Sequence, residues 1–183
     1  MENASKALIM AATVLLGLMI ISVGVALFNT FSEFSRNTLE KVEETKIAEW
    51  NNQFLKYYGT VWIYDKDKNK DIQSSIKVTA HDIVSVANLA KQNNENYELT
   101  KDNSGDKNTY YVQVIVNTKN KVYRNFETLT DSEKNSFLQS ESLEIKTNED
   151  GIQTAETIYY KCKKEPVISE VTKRVMCIEF ELY

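Results

Sequence analysis

From Ala7 to Phe28 every position is uncharged and nearly every one is apolar, and the helical pattern continues where that run ends. As a helix rising about 1.5 Å per residue the run is roughly 33 Å long, against about 30 Å for the hydrocarbon core of a bilayer. It exceeds the core of a secretory signal peptide, about 7 to 15 residues. Core helices of soluble proteins rarely run so far without a charge. The pattern therefore predicts a membrane-spanning helix. No Gly or Pro falls between Gly24 and Gly59, and Glu33, Leu39, Glu40, Lys41, Glu43, Glu44, Lys46 and Ala48 all favour a helix. One continuous helix is predicted from about Ser5 to Tyr57. Its second half is amphipathic: Phe31, Phe34, Leu39, Val42, Ile47, Trp50, Phe54 and Tyr57 recur at mostly three- and four-residue steps, opposite Glu40, Lys41, Glu44, Lys46, Asn51 and Gln53. That stripe is either the surface on which the chain's own globular part packs or, in part, a seam between copies.

After Gly59 the period changes to two. Thr60-Val61-Trp62-Ile63-Tyr64 is β-branched and aromatic, a charged turn follows, and Ile72 to Val78 supplies a second strand. Thr79-Ala80-His81-Asp82 reads as the capping-box start of a short helix that turns Ile83, Val86, Ala87 and Ala90 inward and ends near Gln92-Asn93-Asn94. Tyr97 to Thr100 and Tyr110 to Asn117 are predicted to form a hairpin around Asp102-Asn103-Ser104-Gly105-Asp106, with Tyr110, Val112, Val114 and Val116 on its inner face. Val122 to Phe126 adds another strand. Thr130-Asp131-Ser132-Glu133 is a second capping box, opening a helix that carries Phe137 and Leu138 inward. Asn148-Glu149-Asp150-Gly151 turns the chain into Ala155 to Lys163, and Pro166 interrupts before the last run, Arg174 to Tyr183. The sum is an α+β fold: a long N-terminal transmembrane and amphipathic helix, then a mostly antiparallel β-sheet head with two short helices. The expected divisions are a leader at 1–7, the long helix at 8–58 and the head at 59–183.

Charge and chemistry narrow the function classes. Glu2 and Lys6 cancel, so the net charge of -4 belongs to the part after the apolar run. No Lys/Arg run exceeds Lys163-Lys164, and nucleic acid needs clustered positive charge, so it is not expected as a partner. His81 is the single histidine, with Asp82 its only ionisable neighbour, which is too little for a general base or a metal ligand set. Asp65, Asp67, Asn69 and Asp71 alternate as in a calcium loop. Three interleaved lysines oppose a cation, however, Lys70 stands at the turn-glycine position, and Ile76 stands where the twelfth-position Glu belongs. No Gly-rich phosphate loop is present. The expectation is a non-enzyme with no cofactor and no metal. Cys162 and Cys177 fall in two β-like runs; paired as a hairpin, these place the cysteines within reach of a disulfide, which would favour an extracellular head. The alternative is two unpaired core thiols.

Ser5-Lys6-Ala7-Leu8-Ile9-Met10, the uncharged run behind it and its unbroken continuation to Tyr57 resemble type IV pilin-like proteins, including their archaeal relatives. Members of that family have a short leader ending in a charged and then a small residue. Their first helix is both membrane anchor and filament core, and their head is globular and β-rich. The resemblance covers the first third of the chain and implies processing at Lys6, Ala7 and Leu8, with the cut after Ala7. Bacterial members usually carry Gly before the cut and Glu at the fifth mature position. Here Ala7 and Ala12 stand there, and Lys, small, apolar is the archaeal-type pattern. The implied function is a structural subunit of a type IV pilus-like surface filament. It would be a homopolymer built through the N-terminal helix, with the membrane and the pilus assembly machinery as partners and the head outside the cell. Thr13, Gly17, Ser22, Gly24 and Ala26 supply small positions for close helix packing. Flanking charge alone, Lys6 and the amino terminus against Arg36, Lys41 and Lys46, would put the head inside; the resemblance and the cysteines put it outside. The competing class is a non-polymerising, single-pass, membrane-anchored extracellular binding or sensor module. Such a module usually carries a flexible linker, and none is seen here.

Overall fold

The computed structural model describes residues 2–66, 68–147 and 153–183. Helix α1, Glu2–Leu55, is unbroken, as the absence of Gly and Pro after Gly24 requires. Tyr57 and Tyr58 close its last turn with N–H bonds to the carbonyls of Phe54 and Leu55. Gly59 then takes φ +130, a conformation that strains any residue with a Cβ, and the helix cannot continue.

The chain forms two compact units, residues 1–46 and residues 47–183. The head thus begins at Ile47 rather than at the expected Gly59, because Asn51 and Phe54 of α1 are buried in it. This corrects the reading of Asn51 as a polar-face residue. Its amide donates to the Lys173 carbonyl and accepts from the Val175 N–H, both at 2.8 Å, so it meets two backbone groups as a strand would.

The strands and remaining helices, in chain order, are β1 (Thr60–Asp65), β2 (Lys70–Ser75), β3 (Val78–Thr79), α2 (Ala80–Asn96), β4 (Gln113–Asn117), β5 (Val122–Tyr123), α3 (Asp131–Glu141), β6 (Leu143–Thr147), β7 (Gln153–Thr157), β8 (Tyr159–Cys162), β9 (Val167–Ile168) and β10 (Val175–Leu182). The fold class is α+β. The main sheet runs β3-β8-β10-β4-β5, with β9 also on β10. Hairpins β1-β2 and β6-β7 are separate two-stranded sheets. Both short helices start at the expected capping boxes, Thr79 with Asp82 and Thr130 with Glu133. The turn at 148–151 lies outside the described residues.

The sheets are mostly antiparallel, as expected, with one parallel pair, β4 and β10, in which Ile178 lies beside Val114 and Phe180 beside Val116. One expectation about the sheet is corrected. The hairpin of Tyr97–Thr100 with Tyr110–Asn117 does not form. The side chain of Asn94 takes both backbone groups of Val112, at 2.9 and 3.0 Å, and β4 finds its partners in β10 and β5. Of the predicted inner face, Val112, Val114 and Val116 are buried while Tyr110 is exposed. Phe126 leaves the predicted strand for a short 3-10 turn, Phe126–Thr128. The core joins these valines to Phe54, Ile83, Val86, Phe126, Phe137, Tyr160, Ile178 and Phe180.

Candidate functional site

The surface that most needs a partner is the first half of α1. An 18-residue window of it has a mean hydropathy of 2.6 and none of it is buried within the chain. Leu8 is 74% exposed, Ile21 64% and Phe28 70%. In water so much contiguous apolar surface is strongly unfavourable. Its few polar side chains are already satisfied along the helix: Thr13 donates to the Met10 carbonyl, Ser22 to Leu18 and Thr30 to Ala26, at 2.8–2.9 Å. Between Ala7 and Phe28 the back-bonds of Thr13 and Ser22 thus leave no side-chain donor that requires water, the condition an apolar medium imposes. At about 100° per residue, Thr13, Gly17 and Gly24 fall within about 40° of one another, while Ser22 and Ala26 lie on the opposite side. A Cβ added at Gly17 or Gly24 meets nothing within 4 Å, so both positions are open notches in the helix surface. Lys6, Ala7 and Leu8 are exposed within the helix, and Lys6 pairs with Glu2 at 3.1 Å. Further along, Phe31, Phe34, Leu39 and Val42 remain exposed; within the head, Phe54 is buried and Ile47, Trp50 and Tyr57 are partly buried.

The cysteines do not face each other. Strands β8 and β10 pair as expected, but in a register that sets Cys162 opposite Phe180, while Cys177 lies beside Gln113 and Val167. Cys177 stands three positions before Phe180 on β10. Because side chains alternate along a strand, the two thiols lie on opposite faces of the sheet. Both are free, which corrects the expected disulfide. Burial pushes the Cys162 thiol up to about 12 and the Cys177 thiol up to about 11, so neither is a nucleophile at neutral pH.

Elsewhere the head offers little chemistry. Among the described residues no three His, Cys, Asp or Glu side chains gather as a metal site. His81 is exposed on α2. In the alternating turn, Asp65 accepts the Lys68 N–H and pairs with the Lys68 ammonium, and Asn69 accepts from the Tyr64 hydroxyl; Asp67 lies outside the described residues. Three features escaped the sequence pattern. Arg174 lies 4.2 Å from the Trp50 ring and 5.2 Å from Tyr110, and it donates to Asn93, pinning α1 to the head. Glu127 is buried, accepting from the Tyr111 hydroxyl at 2.6 Å and the Val114 N–H at 2.8 Å. Lys134 is buried as well, its ammonium nitrogen 2.8 Å from the Asn88 side-chain oxygen. No local signal marks these two, since a Glu in a short turn and a Lys in the first turns of a capped helix ordinarily face water.

No family model, curated protein or solved structure matches this chain.

Proposed function

We propose that the chain is a structural subunit of a type IV pilus-like surface filament, anchored in the membrane before assembly and held in the filament through α1. The observation that carries this reading is the uncovered, uncharged surface of α1 and its unbroken run into the head core at Asn51 and Phe54. No flexible Gly/Ser/Pro linker interrupts the helix between the apolar run and Leu55, and a tethered receptor usually carries one. The open notches at Gly17 and Gly24 support it, since small residues let helix backbones approach closely in lipid. The proposal places the head outside the cell, copies of the chain and the assembly machinery as partners, and Lys6, Ala7 and Leu8 at the processing point. Negative-stain imaging of the full-length protein after detergent removal tests it: filaments are expected. Monodisperse particles that pellet only with vesicles would instead favour the membrane-anchored binding or sensor module.

A further inference from the structure

Lys134 is 2% exposed, and among the described residues no carboxylate pairs with it. Its Nζ donates instead to a neutral carboxamide, Asn88 Oδ1, at 2.8 Å across the seam between α3 and α2. Burial first, and the neighbouring charge of Lys91 second, hold its pKa below the ordinary lysine value. The charges of Asp131, Glu127 and Glu95 oppose that lowering, while burial favours the neutral amine. An amine held at hydrogen-bond distance from an amide oxygen has the partners of an acyl transfer side by side, and such placement offsets part of the entropic cost of a bimolecular step. Among the described residues Glu127, 1% exposed, is the most deeply buried carboxyl of the head, and its charge acts on Lys134, while its own two oxygens accept from Tyr111 and Val114. Asn88 lies on the exposed side of α2, so a small leaving group escapes directly to water.

We propose that Lys134 and Asn88 form a self-modification site, at which the two side chains condense into an amide that joins α3 to α2. The Lys134 Nζ bonds to Asn88 Cγ, the Cγ–Nδ2 bond breaks, and one Nζ proton passes to Nδ2, which leaves as ammonia. The products are a secondary amide and free ammonia, and nothing else is consumed. Such a link would resist local opening of the α2–α3 seam, whatever the chain assembles into.

Intact mass measurement of the full-length protein, purified in detergent and denatured, tests the site. The wild-type chain is expected to be lighter by one ammonia than its residues require, and the Lys134→Arg and Asn88→Ala variants to have their full mass. Digestion of the wild type should release a branched peptide in which the Asn88 and Lys134 segments are joined. A wild-type chain at full mass, or digestion to linear peptides carrying unmodified Lys134 and Asn88, would overturn the proposal. So would ammonia loss that survives Lys134→Arg, which marks a succinimide at an asparagine. If either variant fails to fold, the wild-type peptides decide the matter alone.

Discussion

Asn51 and Asn94 each occupy a place where a strand would otherwise sit. Asn51 satisfies Lys173 and Val175, and Asn94 satisfies Val112. Replacing Asn51 with Ala leaves the buried N–H of Val175 without a partner, at a cost of about 1–3 kcal/mol. The urea midpoint of the detergent-solubilised protein should fall accordingly with an unchanged slope; an unaltered midpoint would mean that water replaces the amide there. Glu127 predicts a pH effect. Burial raises its carboxyl above 4.5, against the lowering influence of its bonds from Tyr111 and Val114. Above pH 4.5 the folded chain therefore keeps a proton that the unfolded chain has lost. Its stabilisation is complete below 4.5 and disappears as pH rises through the folded value. In Glu127→Gln the decline of the urea midpoint from pH 4.5 upward should flatten. A decline as steep as in the wild type would assign it to another group.

Helix α1 carries the testable consequence at the scale of elements. Since Gly17 and Gly24 face open space within the subunit, leucine at either position costs the isolated chain nothing in packing, and it favours the bilayer. Any defect in Gly17→Leu or Gly24→Leu must then arise between chains. Losing about 1.4 kcal/mol per contact weakens association about tenfold. Electron microscopy should show filaments sharply reduced, while membrane fractionation shows insertion unchanged. Variants that assemble like the wild type would return the helix to the role of a stalk.

At the scale of the whole molecule, the division at Ile47 decides where the head can be cut. A fragment from Ile47 to Tyr183 keeps Trp50, Asn51 and Phe54 and should be soluble, folded and monomeric by sedimentation. One from Gly59 lacks them. Loss of a buried Phe side chain alone costs about 3–5 kcal/mol, a large share of the roughly 5–15 kcal/mol that holds a domain together. Circular dichroism should find the shorter fragment substantially unfolded. Filaments formed by the Ile47 fragment would overturn assembly through α1.

The features legible in the residues alone are those set by near neighbours. An uncharged apolar run followed by a stretch without Gly or Pro from Val25 to Tyr58 reads as one long helix, and Thr79 with Asp82 or Thr130 with Glu133 announces a helix start within four positions. The valines at 112, 114 and 116 show their shared buried face by alternation. What a strand pairs with, and in which register, depends on residues far apart in the chain and on how the core closes around them. For that reason the parallel alignment of β4 with β10, the placing of Cys162 opposite Phe180, and the docking of Asn51 on Lys173 and Val175 left no local mark. Lys134 is the sharpest case. A lysine in the first turns of a capped helix has a solvated place by every local rule, and only the packing of α3 against α2 buries it beside Asn88.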